Sequence, residues 1–96
     1  MLYDCRNFNS SITILSNATN NIYLQMMGTF QNCFNFNQPL NLPHNVTNMV
    51  NCFREAYNFN QPIDIIIDDI NLNSSIVNCF YNCFNFNSPV NIKNVT

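Results

Sequence analysis

The chain has 96 residues, 47% of them hydrophobic and 14% aromatic, with only 8% charged and a formal net charge of −2. This length allows one domain with a small interior, and the apolar content excludes a compositionally disordered chain. The charge balance leaves no basic footprint for nucleic acid and no polybasic segment for an anionic membrane, so polarity rests on uncharged groups, chiefly 22 Asn.

At the N-terminus, Met1-Leu2-Tyr3-Asp4-Cys5-Arg6 has no cationic region leading into an apolar stretch, so no signal peptide is read there. No run reaches the roughly 18 apolar residues that a membrane span requires. Five Cys, an odd number, argue against a fully paired disulfide framework and favour reduced thiols.

From Cys5 onward one ten-residue frame returns four times. It reads Cys5-Arg-Asn-Phe-Asn-Ser-Ser-Ile-Thr-Ile14, Cys33-Phe-Asn-Phe-Asn-Gln-Pro-Leu-Asn-Leu42, Ala56-Tyr-Asn-Phe-Asn-Gln-Pro-Ile-Asp-Ile65 and Cys83-Phe-Asn-Phe-Asn-Ser-Pro-Val-Asn-Ile92. The frames start 28, 23 and 27 residues apart, and Asn-Phe-Asn is identical in all four. Self-similarity of this kind marks stacked supersecondary units.

Ahead of three frames lies an apolar pair followed by an aromatic: Met26-Met27-Gly-Thr-Phe30, Met49-Val50-Asn-Cys-Phe53 and Ile76-Val77-Asn-Cys-Phe80. The spacing Val50, Phe53, Ala56 predicts one face of a short helix, with Thr47 and Ser74 as N-caps. Asn-Phe-Asn predicts a turn, and Gln-Pro prevents the helix from continuing. Leu40-Asn-Leu42, Ile63-Asp-Ile65 and Val90-Asn-Ile92 alternate apolar and polar residues, the period of a strand with one buried face.

The expected fold class is therefore α/β: a solenoid of four helix–turn–short-strand repeats over residues 1–96, approximately 1–14, 20–42, 47–65 and 74–92, with a parallel sheet on one face. Phe8, Phe36, Phe59 and Phe86 are expected to form an interior column. Asn9, Asn37, Asn60 and Asn87 are expected to form a structural ladder of buried, paired amides, where Leu would cost about 1–3 kcal/mol. Met1 falls in helix register, and Asn94-Val95-Thr96 repeats the pattern that precedes a helix. The array thus reads as an uncapped slice of a longer one, and the alternative to a binding module is a structural or assembly protein that associates end to end with copies of itself or docks on another repeat protein.

Residues 49–63, Met-Val-Asn-Cys-Phe-Arg-Glu-Ala-Tyr-Asn-Phe-Asn-Gln-Pro-Ile, preceded by Asn45-Val46-Thr47-Asn48, resemble a BspA-type leucine-rich repeat. The resemblance covers nearly the whole chain and is weakest in the first copy, where Ser10-Ser11 replace Gln-Pro. It implies a right-handed leucine-rich-repeat solenoid and a cell-surface or adhesive role, with proteins as partners.

The candidate chemistry is sparse. Cys79 and Cys83 are four apart, but Cys5, Cys33 and Cys83 share a repeat position with Ala56, which suits core packing better than convergence on a metal. Asp64, Asp68 and Asp69 are interrupted by three Ile and lack the bend glycine of a calcium loop. His44 is a lone loop histidine with no nucleophile–acid arrangement around it. The single glycine, Gly28, excludes a phosphate-cradling loop. Sequons at Asn9, Asn17, Asn45, Asn73 and Asn94 only slightly exceed what this composition generates. No catalytic, metal or cofactor site is expected, and the reading is a non-enzymatic protein-binding module. Its expected partner surface is the outward row of the strands, Thr13, Asn41, Asp64 and Asn91.

Overall fold

A computed structural model describes residues 2–13, 24–42, 46–67 and 76–94. Four parallel strands form one sheet in the order β1-β2-β3-β4: β1 is Leu24–Gln25, β2 Val46–Asn48, β3 Ile63–Ile67 and β4 Val90–Asn94. Pairing is fullest between β3 and β4, from Ile63 opposite Val90 to Ile67 opposite Asn94. β3 also reaches the other neighbour through Ile67 opposite Val46. Its run Ile63-Asp-Ile-Ile-Ile67 is β-branched at four of five positions, which favours the pleated conformation.

The predicted helices do not form: among the described residues there is no helix. Residues 26–32, 50–55 and 76–82 run instead through successive turns. Left-handed backbone returns every fourth residue, at Gly28 and Asn32, at Asn51 and Glu55, and at Asn78 and Asn82. Each such residue ends the right-handed run after three positions, before an α-helical segment can propagate. The expected α/β leucine-rich-repeat solenoid of four helix–strand units is therefore corrected. Thr47, expected to cap a helix, lies in β2, and Ser74 is outside the described residues. Leu40–Leu42 is not a strand, although Leu40 is buried and Asn41 exposed.

The hydrogen bonds show what replaces the helix. Backbone N–H groups alternate between two destinations. Those of Cys52, Arg54 and Ala56 close local turns on the carbonyls of Met49, Asn51 and Phe53, at 3.0–3.2 Å. Those of Asn51, Phe53 and Glu55 leave the segment and donate to the carbonyls of Val77, Cys79 and Tyr81, at 3.1, 2.9 and 2.7 Å. Gly28, Phe30 and Asn32 donate likewise to Val50, Cys52 and Arg54. Half the donors thus hold a turn and half hold the neighbouring segment, so the N–H groups of residues 28–33 and 51–56 are satisfied without a helix.

These turns also explain the misread periodicity. A chain of i to i+3 turns returns an apolar side chain to the interior about every third residue, as one face of a helix does. The buried set is Met49, Cys52, Phe53, Ala56 and Phe59, all 0% exposed. Val50, expected on the inner face, is only half-buried.

Inside, Phe8, Phe36, Phe59 and Phe86 stack with ring centroids 5.8, 5.9 and 5.9 Å apart. A second file, Phe30, Phe53 and Phe80, runs beside it at 5.2 and 5.4 Å. The files join through Phe30–Phe36 at 4.7 Å and Phe53–Phe59 at 4.4 Å. Each stacked pair adds about 0.5–1.5 kcal/mol beyond the burial of its area, so the aromatic files add cohesion between successive segments.

Candidate functional site

The Asn-Phe-Asn triplet points its Phe inward and its two Asn outward, and the outward amides assemble across frames. Asn9 Oδ1 accepts the backbone N–H of Asn37 at 2.8 Å, Asn37 Oδ1 that of Asn60 at 2.9 Å, and Asn60 Oδ1 that of Asn87 at 2.7 Å. Gln38 Nε2 and Gln61 Nε2 donate to the same oxygens of Asn9 and Asn37, and the Ser88 hydroxyl to that of Asn60. The first Asn of the last three triplets forms a parallel file, with Asn58 Nδ2 donating to Asn35 Oδ1 at 3.4 Å and Asn85 Nδ2 to Asn58 Oδ1 at 2.9 Å.

Between these files lies a shallow, open groove of about 390 Å³ lined by Asn9, Asn35, Asn37, Asn58, Asn60 and Asn85. All six are uncharged amides, and all but the half-buried Asn37 are exposed. The ladder amides were expected to be buried; they lie at the surface instead, where water can replace a lost bond. The Oδ1 atoms of Asn9, Asn37 and Asn60 are spent on the ladder. The Nδ2 groups of Asn9, Asn35, Asn37 and Asn60 have no partner among the described residues, so the groove presents a row of amide donors.

Beside the first Asn of each triplet runs an outer file formed by the residue before it: Arg6, Phe34, Tyr57 and Phe84. The Arg6 guanidinium sits 5.1 Å over the Phe34 ring, and the rings follow at 4.7 and 5.2 Å. This file and the first Asn of each triplet were missed in the sequence. The signal was present, because the triplet repeats both Asn and an aromatic precedes it in three frames.

Thr13, Asn41, Asp64 and Asn91, expected as an outward strand row, are all exposed, but only Asp64 and Asn91 lie in strands. Asn91 Nδ2 donates to Asp64 Oδ1 at 2.9 Å across the β3–β4 pair. This row is separate from the groove lining.

The five thiols are free. The Cys33 and Cys83 Sγ–H groups donate to the carbonyls of Leu2 and Phe53, at 2.9 and 2.8 Å. Burial pushes Cys33 and Cys83 up to about 11 and Cys79 to about 12, and raises Cys52 well above the ordinary thiol range. These four are packed, protonated thiols rather than nucleophiles at neutral pH. Among the described residues no three His, Cys, Asp or Glu converge. His44, Asp68, Asp69 and the sequons at Asn17, Asn45 and Asn73 lie outside the described residues.

A family model described as "Mycoplasma protein of unknown function, DUF285" matches residues 1–93. The chain belongs to the DUF285 family. That match overturns the BspA-type resemblance, and with it the ground on which an adhesive role was expected. Comparison of this DUF285 chain with curated proteins and with solved structures gave no match.

Proposed function

We propose that the chain is a non-enzymatic recognition module that binds a partner protein along the asparagine groove. The observation that supports this reading is the row of unspent Nδ2 donors on Asn9, Asn35, Asn37 and Asn60, held in fixed register by a ladder that uses only the opposite side of each amide. Such a row suits an extended, uncharged segment that offers carbonyl acceptors, whether backbone or Asn/Gln side chains. A charged ligand finds no counter-charge among the six lining residues. Packed, protonated thiols are consistent with a binding role rather than a covalent one.

A displayed library of random extended peptides, panned on the purified chain, tests this reading. Enrichment of uncharged, acceptor-rich sequences is expected, with binding lost in N37R/N60R and kept in N41A/D64A/N91A. No enrichment over a blank surface, or enrichment untouched by N37R/N60R, contradicts it.

A further inference from the structure

The bonding that joins neighbouring segments is directional, and it leaves the two outer faces of the described segments with opposite, matching needs. Each turn segment donates alternate N–H groups toward the following one: Asp4 to Gln31 at 2.8 Å, Asn32 to Arg54 at 2.9 Å and Glu55 to Tyr81 at 2.7 Å. The equivalent donor in the last segment, Asn82, has no acceptor among the described residues, nor do Asn78 and Phe80, which correspond to the donors Asn51 and Phe53. In the first segment the carbonyl of Tyr3, equivalent to those of Gln31, Arg54 and Tyr81, accepts no hydrogen bond among the described residues.

The frames carry the reverse traffic. The N–H groups of Asn35, Asn58 and Asn85 donate back to Arg6, Phe34 and Tyr57. Among the described residues, the Asn7 N–H at one outer face and the Phe84 carbonyl at the other have no backbone partner. Among the described residues the amide ladder is open in the same sense, at the Asn9 N–H and at Asn87 Oδ1.

Apolar exposure follows the same division. Val77, Tyr81, Phe84 and Ile92, four of the six exposed large hydrophobics, belong to the last segment and frame, with Phe84 72% exposed. Tyr3, at 58%, belongs to the first.

We propose that the last frame of one copy docks on the first frame of a second copy, head to tail, so that the Arg6 guanidinium of one copy lies between its own Phe34 ring and the Phe84 ring of the other. In this register Asn82 N–H meets the Tyr3 carbonyl, Asn7 N–H the Phe84 carbonyl, and Asn9 N–H the Asn87 Oδ1. Phe8 then continues the inner file beyond Phe86. The second copy is the occupant because the same chain carries every complementary group at the equivalent position. A contact between two different faces leaves one face of each kind open on the dimer, so association proceeds beyond it, to a ring or a filament. The contact meets the groove at Asn9 but uses that residue's backbone N–H and not its Nδ2.

Sedimentation velocity on the whole chain across a wide concentration range tests the docking. The native chain is expected to form dimers and larger species as concentration rises. F84K places a cation against Arg6 and is expected to weaken association at least about tenfold, with the circular dichroism spectrum unchanged because Phe84 is already exposed. R6E/F84K restores an opposite-charge pair and is expected to recover association. A monomer at every concentration, association undiminished in F84K, or no recovery in R6E/F84K overturns the proposal.

Discussion

Asn60 Oδ1 accepts the backbone N–H of Asn87 and the hydroxyl of Ser88, both at 2.7 Å, whereas Asn87 Oδ1 has no partner among the described residues. Two chemically identical, exposed residues at equivalent positions thus carry unequal loads. Asn60→Ala is expected to cost about 0.5–1.5 kcal/mol, the net worth of hydrogen bonds that water can partly replace. Asn87→Ala is expected to change stability by less than about 0.5 kcal/mol. Urea unfolding of the two variants beside the native chain checks the difference.

Glu55 occupies a left-handed conformation, φ 59°, that the aligned positions give to Asp4, Asn32 and Asn82. A long side chain gains nothing there to offset the steric cost, while Asn tolerates the region. Its backbone N–H bond to Tyr81 does not depend on side-chain identity. Glu55→Asn is therefore expected to stabilise the fold by about 0.5–1 kcal/mol, read as a higher urea midpoint with unchanged slope.

Burial holds Cys33 and Cys83 at about 11 and Cys79 at about 12, above the ordinary thiol value of 9.0. Above pH 9 the unfolded chain loses these protons while the folded chain keeps them, so the unfolded state binds fewer protons and stability falls as pH rises. The thiol contribution is fully present below pH 9 and lost progressively as pH climbs through 11 to 12. Thermal melts at pH 8 and pH 10.5 are expected to show a lower midpoint at the higher pH. Replacement of Cys83 by Ala, the residue at the equivalent position 56, is expected to reduce that difference.

The sequence carried the frame more clearly than the conformation between frames. Four copies of Asn-Phe-Asn mark the positions at which Phe36 lies over Phe59 and Asn37 bonds Asn60, because identical residues at equivalent positions meet when segments stack in register. The conformation before each frame was not legible from spacing. Met49, Phe53, Ala56 and Phe59 recur every three or four residues in a chain of turns as they would on a helix. What distinguishes the two is the residue at every fourth position. Asn51, Asn78 and Asn82 are poor helix formers and accept left-handed backbone, but Glu55 is a good helix former and gave the opposite signal. The groove was half legible: the second Asn of each triplet was read as a ladder, while Asn35, Asn58 and Asn85 were passed over although the triplet repeats them equally.

Alternate amides serve two different partners, and residue-resolved hydrogen exchange on a dilute, monomeric sample measures this directly. In 51–56 all six amides are expected to be protected, since each is bonded either to its own turn or to the following segment. In 78–83 protection is expected only at Cys79, Tyr81 and Cys83, with Asn78, Phe80 and Asn82 exchanging fast. Uniform protection through 78–83, the signature of a helix bonding its own carbonyls, would contradict it.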